Sequence, residues 1–304
     1  MKNKVVIIGC GNVGMSYAYS LLNQKTSVNE LVLIDINKEK TMGEAMDLNH
    51  GLPFGPSKID IKSGDYSDVS DASIIMIAAG RNQEVGETRI DLIDKNISVF
   101  KDILENVMKY HFEGIFIIAT NPVDIMTYVT WKITGFAKEK VIGTGTTLDS
   151  ARLRYEIGNY LQINPKNIHA YVIGEHGDTE LVPYSCATVG LANLNLYLTK
   201  EEEMYFEDKV RNMAYNIIKM KGNTSYGIGM VTTRITNAIL NDENAILSVS
   251  SYDDLEDLFI GYPTLINKNG AVKRLPFKLD VGEKERFQRS IDALKDVIND
   301  INLN

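Results

Sequence analysis

Residues 4–24 read KVVIIGCGNVGMSYAYSLLNQ. An apolar run, KVVIIG (4–9), enters three glycines spaced G-x-G-x-x-G, namely Gly9, Gly11 and Gly14, and a helical pattern follows directly. A lone glycine triplet marks many ordinary turns, so its surroundings carry the meaning. A second apolar run, LVLID (31–35), ends in an acid, Asp35, about twenty residues further on. Strand, glycine loop, helix, strand and acid, in that order, describe a dinucleotide site. Gly9 permits a tight turn, Gly11 lets the backbone approach a pyrophosphate, and Gly14 lets the helix pack closely on the strand. Asn12 and Val13 lie at the helix start, where free N–H groups and the positive dipole end favour phosphate. Asp35 can accept hydrogen bonds from both ribose hydroxyls and repels a 2′-phosphate, which selects NAD over NADP.

Working outward, further apolar runs recur at KIDIKS (58–63), SIIMIAA (73–79), IFIIAT (115–120) and KVIGT (140–144). Helical patterns separate several of them, for instance over 98–110. This alternation predicts an α/β fold whose N-terminal part is a Rossmann, doubly wound parallel sheet. Beyond it the pattern changes. NIHAYVIG (167–174) predicts a strand, 199–221 and 225–241 predict helices, and ILSVSSY (246–252) and DLFIGYPTLIN (257–267) predict antiparallel strands. NKNG (267–270) is a hairpin turn signal. Phe287, Ile291, Leu294, Ile298 and Ile301 form one stripe of a last helix, facing the body or a partner subunit. A C-terminal α+β catalytic domain is therefore expected over 145–304, packed on an NAD-binding domain over 1–144 with no flexible tether.

The chain has 304 residues and a net charge of −8, so no overall basic surface for nucleic acid or anionic lipid is indicated. Its two cysteines, Cys10 and Cys186, form no C-x-x-C pair. The apolar run after Lys2 is too short for a signal peptide, and no run is long enough to span a bilayer, so a cytoplasmic protein is expected.

Four histidines remain to be weighed. His50 sits near a helix end, where capping suffices as an explanation. His111 lies in a helix-to-strand connection, and His169 opens a strand. His176, in IGEHGD (173–178), stands just past a strand's carboxyl end, where α/β folds bind ligands. No H-E-x-x-H or comparable ligand spacing appears, so no metal is expected. TLDSARLR (147–154) places Asp149 three residues before Arg152, on one helix face. The pair is either an intrahelical salt bridge or a histidine holder beside an anion binder.

GCGNVG, LVLID, GETRIDL, ATNPVD, GTGTTLDSARLR, IGEHGDTEL and KGNTSYGIG follow one another in this order. With them the chain resembles, along essentially its whole length, the bacterial L-lactate dehydrogenases of the lactate/malate dehydrogenase family. The resemblance implies NAD-dependent, reversible interconversion of a 2-oxo acid and an L-2-hydroxy acid. It implies His176 as proton donor and acceptor, Asp149 as its orienting partner and Arg152 as anchor of the substrate carboxylate. It further implies that Arg89 polarises the ketone, that Asn121 hydrogen-bonds near the substrate oxygen and nicotinamide, and that Thr224 and Ile228 line the substrate and nicotinamide pockets. GRNQEVGETRID (80–91) would be a lid hinged near Gly80 and Gly86.

The family divides on one lid position, where malate enzymes carry arginine. The matching residue here is Gln83, beside Glu84. A second substrate carboxylate would be buried there unpaired, which favours pyruvate over oxaloacetate. Arg81, two residues earlier, and Val85, where many relatives have proline, keep malate-type and larger apolar substrates such as 2-ketoisocaproate open. The resemblance also implies a homotetramer, and a fructose bisphosphate effector site at Arg154 and His169. Two rivals remain. Tyr205 and Lys209 match the Tyr-x-x-x-Lys spacing of short-chain reductases, and a non-catalytic NAD-binding regulator would dispense with the histidine set.

Overall fold

The structure is a computed structural model and describes residues 3–81 and 89–301, with the side chains of residues 89–91 outside the description. Lys4–Ile8 forms β1, five residues that are all buried. Burial on both faces explains the unbroken apolar run. Helix α1 (Asn12–Asn23), β2 (Glu30–Ile34), α2 (Lys38–Gly51), β3 (Asp60–Ser63) and β4 (Ile74–Ile77) follow. Then come α3 (Arg89–Met108), β5 (Ile115–Ile118), α4 (Val123–Thr134) and β6 (Val141–Gly143). The six strands pair in parallel in the order β3-β2-β1-β4-β5-β6. This is the doubly wound sheet expected from the sequence. The order reverses between β1 and β4, so a crevice opens at the carboxyl ends of those strands.

Helix α5 (Thr147–Leu161) leads to a small antiparallel sheet of β7 (Ile168–His169), β8 (Thr188–Val189) and β9 (Ala192–Asn193). Helices α6 (Lys200–Lys221) and α7 (Tyr226–Leu240) match the two expected helical stretches. Thr199 and Glu202 cap α6 reciprocally, and Gly222, at φ 82°, ends it. Strands β10 (Ala245–Asp253), β11 (Leu258–Asn267) and β12 (Gly270–Arg274) form an antiparallel meander, and α8 (Val281–Asp300) is the last element among the described residues.

Two findings go beyond the sequence reading or differ from it. The meander joins the parallel sheet: β10 pairs with β6 through Ser250 and Gly143, so among the described residues one nine-stranded sheet runs through the expected border. The strand expected over 167–174 shrinks to Ile168–His169, with isolated bridges at Ile173 and Gly174. Side chains take over the backbone between them. Ser150 Oγ accepts the Val172 N–H at 2.8 Å, and Thr146 Oγ1 donates to the Val172 carbonyl at 2.7 Å. Backbone groups satisfied in this way do not need a neighbouring strand.

The core lies on both faces of the large sheet, under α3, α4 and α8 on one side and α1 and α7 on the other. Ile291 and Leu294 are buried there and Phe287, Ile298 and Ile301 pack against the same cluster, so the last stripe faces the body. A third cluster joins α5 and α6 to the small sheet.

Candidate active site

At the carboxyl edge of the sheet, the loop after β1 has the geometry a dinucleotide needs. Gly9 has φ +100°, and a Cβ there would collide with the Ala79 backbone. A Cβ on Gly14 would strike the Gly9 carbonyl, whereas Gly11 faces open space. Gly11 caps α1 without lending a side chain to its first amides, those of Asn12, Val13 and Gly14. Asp35 follows β2 directly. Its Oδ2 accepts the Cys10 N–H at 2.8 Å and its Oδ1 the Asn37 N–H at 3.0 Å. Each oxygen keeps a lone pair for a hydroxyl. The Lys40 ammonium donates to the Cys10 carbonyl at 2.7 Å and steadies the loop further. Open space over Gly11, uncapped helix amides and a half-buried carboxylate fit the phosphates and ribose of NAD.

Next to this loop lies a cavity of about 400 Å³, lined by Val13, Asn121, Asp149, Arg152, His176, Thr224 and Ile228 among others. Val13 connects it to the glycine loop. Asn121 reaches it from the turn after β5, and Asp149 and Arg152 from the first turns of α5. His176 arrives on the irregular segment after Gly174, whose φ is +97°. Thr224 and Ile228 come from either side of the start of α7.

The polar centre is an ordered row. Asp149, 2% exposed, takes Arg152 Nη1 on Oδ1 at 2.9 Å and faces His176 Nδ1 with Oδ2 at 2.7 Å. One carboxylate therefore makes the intrahelical ion pair and contacts the histidine at the same time. Arg152 Nη2 also reaches Thr224 Oγ1 at 3.5 Å. With Nδ1 turned to Asp149, His176 Nε2 is the nitrogen available for proton exchange. The imidazole retains a quarter of its exposure. Burial by itself lowers its pKa, but the Asp149 charge and hydrogen bond outweigh it, with Glu180 and Asp124 adding to them, and the value is pushed up to about 9. Burial works against the Asp149 carboxylate too, yet His176 and Arg152 hold it below its ordinary value.

Glu180 completes the centre and was not singled out in the sequence. It is 4% exposed, and burial together with the Asp149 charge raises its pKa well above the ordinary value, against His176, Arg211 and Arg152. Its one sequence signal is its place in IGEHGDTEL. Asp149, His176 and Glu180 each offer an atom within 4.8 Å of the others, a spacing that would also suit a cation. Here Asp149 already divides its oxygens between Arg152 and His176.

Gln83, Glu84, Val85 and Gly86 lie outside the described residues, as does the side chain of Arg89. Arg154 is drawn away from this cavity. Its Nε donates to the Ala170 carbonyl at 2.8 Å, its guanidinium covers the Tyr171 ring, and it lines a second cavity of about 340 Å³ with Lys166 and Arg234. His169 is exposed on β7 and is not part of that lining. Lys209 on α6 pairs with Glu156 on α5 at 2.7 Å, so it is engaged in an ion pair between the two helices.

Residues 3–143 match the NAD-binding domain of lactate/malate dehydrogenase, and residues 146–303 match the α/β C-terminal domain of the same family. The chain belongs to the lactate/malate dehydrogenase family. Among its relatives, an L-lactate dehydrogenase of Bacillus pumilus is 50% identical over 306 residues, covering 97% of both chains. L-lactate dehydrogenase 2 of Bacillus cereus is 49% identical over the same length, again covering 97% of each. The ligand-bound crystal structure of the minor L-lactate dehydrogenase from Enterococcus mundtii superposes with a TM-score of 0.97 at 43% identity, covering 100% of this chain and 99% of that one. A lactate dehydrogenase from a deep-sea metagenome library of the Medee basin gives 0.96 at 46% identity, covering 99% of each chain. Membership of this family makes the chain an NAD-dependent oxidoreductase, and its N-terminal half is the NAD-binding half. Among the described residues no helix is long and apolar enough to cross a membrane.

Proposed function

We propose that this family member is an L-lactate dehydrogenase that interconverts pyruvate and L-lactate. The observation that carries the proposal is the Asp149–His176 contact with Arg152 on the same carboxylate, at the floor of a cavity that opens onto the glycine loop. The names of the relatives at 49–50% identity support it.

When bound, NADH supplies the hydride for the carbonyl carbon. This chain's residues do the rest. Arg152 pairs with the substrate carboxylate through its two-pronged guanidinium. His176, protonated at neutral pH, gives the Nε2 proton to the carbonyl oxygen and leaves as neutral imidazole. Asp149 holds the ring with Nδ1 inward and stabilises its positive charge. In the reverse direction neutral His176 takes the hydroxyl proton. Asn121 and Thr224 bound the substrate, Ile228 the nicotinamide, and Arg89 polarises the ketone. The division between the NAD-binding and substrate halves falls at residues 144 and 145.

Pyruvate is favoured because Gln83 and Glu84 leave a second carboxylate without a partner. With NADH, pyruvate should turn over faster than oxaloacetate or 2-ketoisocaproate. A higher kcat/KM on oxaloacetate would instead mark a malate dehydrogenase, and one on 2-ketoisocaproate a hydroxyisocaproate-type enzyme. The protein works in the cytoplasm as a homotetramer. Fructose bisphosphate acts at Arg154 and His169; the cationic cavity of Arg154, Lys166 and Arg234 supports the Arg154 half of this reading, and His169 lies outside its lining. Superimposable pyruvate saturation curves with and without the sugar bisphosphate would remove that effector.

A further inference from the structure

Helix α4 is almost entirely buried through its first two turns, yet its second residue is Asp124, a carboxylate 2% exposed. A buried charge is costly unless something pairs with it. Its partner is in the catalytic segment: Asp124 Oδ2 accepts the backbone N–H of His176 at 2.8 Å. The other oxygen, Oδ1, is sealed from solvent without a well-aligned hydrogen bond.

The turn that leads into α4 is pinned at its other end too. Asn96 on α3, 1% exposed, donates from Nδ2 to the Asn121 carbonyl at 3.2 Å, while its Oδ1 accepts the Arg81 N–H at 2.8 Å. Residues 121–124 thus form a bracket. Its first residue opens into the cavity and its last grips the backbone of His176. A neutral acceptor would satisfy that amide equally well, so the choice of a carboxylate needs a second reason. The imidazole supplies it, because the Asp124 charge helps to raise the His176 pKa.

We infer that Asp124 is a positioning residue: it fixes the His176 backbone against the Asn121 turn, and its negative charge favours the protonated imidazole. The kinetic half of this inference rests on the proposed dehydrogenase reaction, and the titration half does not. Burial pushes the Asp124 carboxyl up to about 6, against the pull of the Ser250 hydroxyl and His176, so it is ionised across the range in which His176 titrates. The other charged or titratable groups around the imidazole are Asp149 and Arg152 on α5, Glu175, Asp178 and Glu180 on its own segment, and Arg211 and Tyr215 on α6. All of them stay in place when residue 124 alone is changed.

The test follows histidine titration by NMR in the whole chain, with the His176 signal assigned by its loss in His176→Asn, beside pyruvate kinetics. Asp124→Asn keeps an acceptor for the amide and removes the charge. Its His176 midpoint should fall, by less than the Asp149 contact raises it, and the alkaline limb of pyruvate reduction should move down with it. Asp124→Ala also removes the grip, and its kcat should drop roughly tenfold or more below that of Asp124→Asn, with NADH affinity nearly unchanged. A parental midpoint in Asp124→Asn overturns the inference, whether or not Asp124→Ala folds. Equal kcat in the two variants overturns the positioning part. If the parent protein fails to reduce pyruvate, the proposed function falls, while the midpoint shift still decides the role of Asp124.

Discussion

The nucleotide end and the catalytic end of this molecule are built by opposite means. The first is a backbone device. Gly9, Gly11, Gly14 and Asp35 lie within one strand–loop–helix–strand unit, and their work is to leave space, free amides and one carboxylate in the right places. The second is a side-chain device. His176 meets Asp149 across 27 residues, and Arg152 meets Thr224 across 72. One end depends on local conformation, the other on how distant elements are held. Substitutions should therefore fail in different ways at the two ends, by lost chemistry at the catalytic end and by altered cofactor choice at the nucleotide end.

The sharpest contrast comes from His176→Asn. Turnover should fall on the order of 10²- to 10⁴-fold, the usual worth of a general acid, while NADH binding followed by fluorescence stays close to parental. Parallel loss of both would erase the distinction between the two ends. Arg152→Lys keeps the charge and loses the fork, so the KM for pyruvate should rise by about tenfold or more, with a smaller change in kcat. An unchanged KM would remove Arg152 as the carboxylate anchor. At the other end, Asp35→Ser should weaken discrimination between NADH and NADPH by about tenfold, with pyruvate KM little changed. Unaltered discrimination would remove Asp35 from the ribose site.

The smallest effect is on stability. The folded His176 pKa, about 9, lies above the ordinary value of 6.5, so the protonated form is the one that folding favours. The stabilisation from its pair with Asp149 is complete below pH 6.5 and is lost as pH rises through about 9. The Tm advantage of the parent over His176→Asn should shrink across that window, and pyruvate reduction at limiting substrate should decline across the same alkaline limb. A Tm difference that is flat from pH 6 to 10 would detach the pair from stability.

Much of this was legible because it was local. The β1 run, the glycines and Asp35 named the fold's first unit, and Asp149 and Arg152 announced themselves by their spacing on one helix face. Asp124 and Glu180 were not singled out, although both stand inside motifs that were. A carboxylate beside apolar residues at a helix start looks like ordinary N-terminal charge, and its meaning depends on a backbone amide 52 residues away. The strand expected over 167–174 failed for a related reason. Apolar content showed that the segment was buried, but could not show that Thr146 and Ser150 would take over the hydrogen bonds of Val172.

The sequence by itself determined the parallel sheet and the glycine loop that opens it, since periodicity and glycine placement are properties of short stretches. Tertiary structure alone decided that one carboxylate serves both His176 and Arg152, and that the meander extends the sheet at Ser250 and Gly143. It also decided that the imidazole holds its proton to about pH 9. Those outcomes depend on burial and on distances between groups far apart in the chain, and Coulomb and hydrogen-bond energies take their size from both.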